Sequence, residues 1–176
     1  MKPRLIILNL VAFLAVQSYA SAGGVSAGLF NSPKGFGICV DYVASDIIYN
    51  SYSVYADCYG MLSGTYRNPG VKACYLHYNR LASFDYDGAR GGLFLGPGAS
   101  SGLVRDSGSD KFGVLLTADI ALAVRLSFPR HIDIEMGMVA ELGFIARNTP
   151  KGVQMNIYNN GLTQALIPTL KIMARF

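Results

Sequence analysis

The sequence predicts a single antiparallel up-and-down transmembrane β-barrel of about eight strands, preceded by a cleavable signal peptide. Three observations carry that prediction. The chain is 51% hydrophobic, yet after Gly23 it nowhere assembles the roughly 18 consecutive apolar residues that a membrane helix needs. Its apolar residues instead alternate with polar ones over long stretches, the two-residue period of strands with one apolar face. The breaks between these stretches are short and long by turns, as in barrels with tight hairpins on one side of a membrane and longer loops on the other.

The first element is the targeting segment, read as residues 1–22. Lys2 and Arg4 give a positive start, Leu5 to Val16 is an almost unbroken apolar stretch of 12 residues, and Ala20-Ser21-Ala22 has the small-x-small form that a signal peptidase accepts. A helical anchor would need about 20 apolar residues. The first cysteine is Cys39, too far along for a lipid-anchored lipoprotein. Taking 22 residues from 176 leaves 154, the barrel at 23–176, enough for one domain. The net charge of +4 falls to +2 once Lys2 and Arg4 leave, and the remaining bases are scattered among acids. No nucleic-acid partner is implied.

The strands are placed at roughly 24–30, 35–43, 51–64, 71–84, 91–104, 113–128, 132–147 and 162–176. Turn-rich stretches at Asn31 to Lys34, Thr65 to Gly70 and Asp85 to Arg90 mark three of the breaks among the first five. The sixth sets Val114, Leu116, Ala118, Ile120, Leu122, Val124, Leu126 and Phe128 against Leu115, Thr117, Asp119, Ala121, Ala123, Arg125 and Ser127. Pro129-Arg130-His131 then turns the chain. In the seventh the even positions Ile132 to Ala146 are all apolar, while the odd ones carry Asp133, Glu135, Glu141, Arg147 and two glycines. The eighth sets Leu166, Pro168, Leu170, Ile172, Ala174 and Phe176 against Ile167, Thr169, Lys171, Met173 and Arg175. These last three strands, of about 11 to 16 residues, suit a tilted crossing, which needs about 9 to 11. Counting back from Phe176 puts the termini and the turn at 129–131 on the periplasmic side, with loops Arg105 to Phe112 and Asn148 to Gly161 outside the cell. Phe84, Phe128 and Phe176 then end three downward strands as an aromatic girdle.

The signal peptide, the dyad strands and the ending Leu170-Lys171-Ile172-Met173-Ala174-Arg175-Phe176 together resemble the small eight-stranded outer-membrane barrels of the OmpA and OmpX kind. The ending is similar to the C-terminal assembly signal of outer-membrane proteins, which makes Phe176 its terminal residue here. Leu95-Gly96-Pro97-Gly98-Ala99, followed by Leu103-Val104-Arg105-Asp106, resembles a strand of an uncharacterised family of such barrels. The resemblance implies the outer membrane of a Gram-negative bacterium. The partners it implies are membrane lipids and lipopolysaccharide, the barrel assembly machinery and periplasmic chaperones, with the barrel itself a monomer. It brings no residue of known activity.

The inward faces of the three best strands hold Asp119, Asp133, Glu135 and Glu141 with Arg125, Arg147, Lys171 and Arg175. Four acids meet four bases. An eight-stranded barrel is just wide enough to be filled by side chains, so these read as an ionic network that closes the lumen, with Asp41 and Asp57 as further members. The alternative is a small selective pore. The glycines of the fifth and seventh strands read as space for the long basic side chains. Gly96-x-Gly98 lacks the helix and the Gly-Lys-Ser/Thr of a phosphate loop. Cys39, Cys58 and Cys74 fit no metal site and read as free packing residues, or Cys58 and Cys74 pair across a turn centred near residue 66. Neither a cofactor nor a metal is expected.

Function is read as structural or surface interaction through the outer loops, without enzymatic activity. One alternative is a lipid-modifying barrel enzyme, which would need His77 as base with Ser53 or Ser83 as nucleophile; His131 is read as a solvated turn residue. The other is a soluble barrel of lipocalin type, which would carry its charges outside.

Overall fold

A computed structural model describes residues 23–58, 69–106, 109–158 and 166–176. The signal segment and its cleavage point lie outside the described residues. Among the described residues nine strands follow in order: β1 (Gly24–Ser32), β2 (Gly35–Ser45), β3 (Ile48–Asp57), β4 (Gly70–Tyr86), β5 (Ala89–Asp106), β6 (Ser109–Phe128), β7 (Ile132–Thr149), β8 (Gly152–Ile157) and β9 (Ile167–Arg175). Each pairs antiparallel with its neighbour from β1 to β7, β7 pairs with β9, and β9 returns to β1, so the sheet closes on itself. Following partners once round the ring from Glu135 returns to β7 at Ile145, ten residues further along. That stagger tilts the strands relative to the barrel axis.

The eighth stave is built differently from the strand expected at 162–176. It is shared by two strands. β9 pairs with the lower part of β7, from Ile132↔Ala174 to Val139↔Ile167. β8 pairs with the upper part, from Phe144↔Ile157 to Thr149↔Gly152. Residues 148–161, expected to be a long loop, therefore contain a hairpin. Asn148, Pro150 and Gly152 look like loop in sequence, but the turn is only Pro150-Lys151, and Val153, Met155 and Ile157 alternate with Gln154 and Asn156 and keep the ladder going. Gly152, at φ +109°, takes the left-handed turn that a side chain would strain. The loop expected at 105–112 shrinks in the same way, because β5 and β6 stay paired as far as Asp106↔Ser109. The turn expected at 65–70 lies mostly outside the described residues.

The faces divide as alternation requires. On β7 the even residues Met136, Met138, Leu142 and Phe144 are exposed outward, and Asp133, Glu135, Glu141 and Arg147 are buried inward. β6 and β9 repeat this, with Ile120, Leu122 and Ile172 outside and Asp119, Arg125 and Lys171 inside. A soluble barrel with charges outward is the reverse of this arrangement.

β4 breaks phase once. Its register with β5 shifts by one between Arg80 and Ala82, placing an extra residue, Leu81, on the β4 side. Above this bulge, inward Tyr78 and Arg80 share a face. Below it, Phe84 pairs with Gly91 and Tyr86 with Ala89, and both aromatic rings are exposed. A one-residue insertion moves every later side chain to the other face. Without it Phe84 would point inward.

The cysteine pairing across residue 66 is overturned. The β3–β4 register sets Ser53 opposite Cys74 and Asp57 opposite Gly70, so Cys58 lies beyond the end of the ladder. Cys39, Cys58 and Cys74 are all free thiols.

Candidate functional site

The interior is organised as ionic clusters separated by aromatic and aliphatic layers. Near the end that carries the chain termini, the Arg125 guanidinium from β6 donates to Asp41 Oδ2 of β2 at 2.9 Å, Asp133 Oδ2 of β7 at 2.7 Å and Ser26 Oγ of β1 at 3.0 Å. Ser26 Oγ donates to the same Asp133 oxygen at 2.9 Å, and Arg175 reaches Asp133 Oδ1 at 3.3 Å. One carboxylate thus ties β1, β6, β7 and β9 together. Charge-assisted bonds of this kind are about twice as strong as neutral ones.

A turn further in, Lys171 of β9 lies 2.7 Å from Glu135 Oε1 and 3.7 Å from Asp41 Oδ1, and donates to Ser51 Oγ at 2.7 Å. Tyr49 donates to Glu135 Oε2 at 2.8 Å. The Tyr49 ring stacks on Tyr78 at 4.6 Å, meets Phe94 edge-on at 4.9 Å and lies under Arg125 at 4.8 Å. Lys171 sits 5.4 Å over Tyr78. Aromatic faces add favourable contact with the cations that the carboxylates hold. Gly96 supplies the room: a Cβ there would come within 2.8 Å of the Tyr78 ring.

Towards the opposite end Glu141 of β7 takes both Lys72 of β4 and Lys34, at 3.1 Å, from the β1–β2 turn. Lys34 also bonds Tyr158 Oη at 3.2 Å. Asp119 accepts from Ser100, and Arg147 pairs with Asp106 at 2.5 Å. Val104, Leu115, Ile145 and Tyr158, all buried, form a separate apolar cluster. Mid-lumen space near Tyr78 and Lys171 measures about 20 Å³, room for about one water.

Of the residues singled out from the sequence, Asp119, Arg125, Asp133, Glu135, Glu141, Arg147 and Lys171 are buried inside and Arg175 is half-buried at the terminal mouth. They form four separate groups. Asp119 meets none of the four bases singled out with it; its partners include Ser100, Thr117 and the Cys74 thiol, 3.7 Å away. Asp41 is a full member of the Arg125 group, and Asp57 is buried. Sequence reading missed Lys34, Lys72, Ser26, Tyr49 and Asp106. Lys72 shares a face with Cys74 and Leu76, so its alternation was legible, but Lys34 stands in a turn, where no period exists to read.

Phe176 is exposed, its amide donating to Val25 O at 2.8 Å. With Phe84 and Phe128 it lies at the terminal end of the barrel. His77 faces outward and its Nδ1 lies 2.8 Å from Asn50 Oδ1, an atom that also accepts from Tyr75 Oη at 2.9 Å. Ser53 is buried on the opposite face of the wall, and Ser83 lies beyond the bulge. The nucleophile–base pair considered from the sequence is not assembled. Among the described residues no group of three or more His, Cys, Asp or Glu side chains could hold a metal ion.

No protein-family model and no curated relative matches the sequence. Among solved structures the chain is similar to the N-terminal β-barrel domain of Pseudomonas aeruginosa OprF, with TM-score 0.53 at 12% identity, covering 89% of this chain and 98% of that one. It is also similar to a major outer membrane protein from Thermus thermophilus, with TM-score 0.51 at 11% identity, covering 88% and 100%. At such identities the likeness establishes the fold.

Proposed function

We propose that this barrel is an integral protein of a Gram-negative outer membrane whose lumen is closed, and that it acts structurally or through surface contacts made by its outer hairpins. The observation that carries this reading is the sorting of the wall. Leu116, Ile120, Leu142 and Phe144 and their neighbours form a continuous apolar exterior, while the charges are buried and paired within. An exterior of this kind is stable against lipid, and a closed ring satisfies the backbone without water. The fold shared with a protein described as a major outer membrane protein supports the same address. The hairpin β7–β8, whose Val153, Met155 and Ile157 are exposed, is the element best placed for contact with lipopolysaccharide or another surface.

Phe176 serves in this reading as the end of the assembly signal, recognised by strand addition during insertion. Periplasmic chaperones would hold the chain beforehand. Cell fractionation of the wild type tests the address: heat-modifiable barrel is expected in the outer-membrane fraction, and recovery in a soluble fraction would overturn the reading. Deleting Phe176 is expected to deplete that folded pool; an undiminished pool would remove the assembly role while leaving the address intact.

A further inference from the structure

Below the Arg125 cluster the barrel opens at its terminal end into a basin of about 310 Å³, whose charged lining is Asp46, Arg80, Arg90, Arg125, Asp133 and Arg175. Four guanidiniums face two carboxylates. Arg125 and Arg175 are engaged with Asp133, and Arg125 with Asp41 as well. Arg80 and Arg90 make no ion pair among the described residues, although Asp85 stands opposite Arg90 in the β4–β5 ladder. Among the described residues the cations deeper in the lumen are paired: Lys34 and Lys72 with Glu141, Lys171 with Glu135, Arg147 with Asp106.

The wall around these two arginines is shaped to keep them in the basin and to keep it open. The bulge that follows Arg80 lets Phe84 and Tyr86 face outward while Arg80 stays on the inner face beside Phe94. Between them Gly92 contributes no side chain; a Cβ there would lie 2.6 Å from the Phe94 ring and 3.4 Å from Arg80 Cδ. Ser45, Tyr49 and Ser127 add polar lining. The volume is at the small end of the roughly 300 to 1,000 Å³ of ligand pockets, so the basin suits a small molecule or the charged tip of a larger one. A guanidinium presents its donors as a rigid fork that matches the oxygens of carboxylate and phosphate.

We infer that this basin is a binding site for a small oxyanion, a phosphate or a dicarboxylate, with Arg80 and Arg90 as its ligands and the Arg125–Asp133–Arg175 group as its fixed roof. That the ligand comes from the periplasm rests on the proposed membrane orientation; the binding itself does not. The test is calorimetric titration of the detergent-solubilised full barrel at low ionic strength, with inorganic phosphate and separately with succinate. Saturable one-to-one binding of at least one anion is expected, the tighter of the two identifying the source chemistry. Arg80→Ala or Arg90→Ala is expected to weaken it roughly tenfold and the double change to abolish it, whereas Arg130→Ala, in the exposed turn at the same end, leaves it unchanged. Absence of saturable binding by wild type, or equal affinity in the double variant, overturns the site. Should the double variant fail to show heat-modifiable folding, Arg80→Lys and Arg90→Lys, which keep the charge and lose the fork, carry the same criterion.

Discussion

Glu141 shows how much depends on a single inward carboxylate, since it answers the ammonium groups of both Lys34 and Lys72. Replacing one partner of a buried pair strands a charge at a cost of about 3 to 5 kcal/mol, whereas removing both partners costs far less. Glu141→Gln is therefore expected to lower the unfolding free energy by about that amount, and adding Lys72→Met to restore part of it. Urea titration of the folded barrel in lipid vesicles measures both, and a double variant weaker than the single one would contradict the pairing argument. On the outer face the sign reverses, because in the proposed membrane setting a charge there meets hydrocarbon. Met138→Arg should cost about 2 to 4 kcal/mol if Met138 lies near the midplane, and Ala146→Arg, close to the outer rim, much less. Equal costs at the two positions would mean that the depth assignment is wrong. These faces were readable because β6, β7 and β9 alternate without interruption; Lys34 was not, because its ammonium enters the lumen from a turn.

At the scale of an element, the β4 bulge decides which residues face outward over the last third of its strand. Alternation carried on from Tyr78 would put Phe84 inside, and only the extra residue at Leu81 returns it to the outer face. Deleting Leu81 is expected to remove the bulge, turn Phe84 and Tyr86 towards the basin and crowd Arg80. Cysteine placed at residue 84 in a cysteine-free background reads this out: a membrane-soluble thiol reagent should label it in the bulged form and lose that labelling on deletion. Labelling that persists would show that the strand re-registers elsewhere. The split of the last stave into β8 and β9 is a second case where local signals mislead. Asn148, Pro150 and Gly152 are turn formers, yet Asn148 and Gly152 stay in the ladder and the chain turns at Pro150-Lys151, so the hairpin prolongs the wall on both sides.

For the whole molecule, closure of the ring and filling of the lumen are one fact seen twice. Eight staves with this stagger enclose a space that side chains fill, and here the Arg125–Asp41 and Lys72–Glu141 pairs cross it at two levels. Planar-bilayer recordings of the reconstituted barrel are expected to show no steady conductance, and large, long-lived openings would favour the pore. The sequence by itself determined that the chain is a barrel with an apolar outside and a charged inside, because side-chain period is a local property that a single strand already displays. It also marked most inward charges of the regular strands. The tertiary structure alone decided which charges meet, since partners such as Lys72 and Glu141, or Arg125 and Asp41, come together only when ring closure brings distant strands across the lumen. It alone decided, too, that Arg80 and Arg90 share an open basin, because a bulge, a missing side chain at Gly92 and the end of the ring combine there, and none of the three has a period to read.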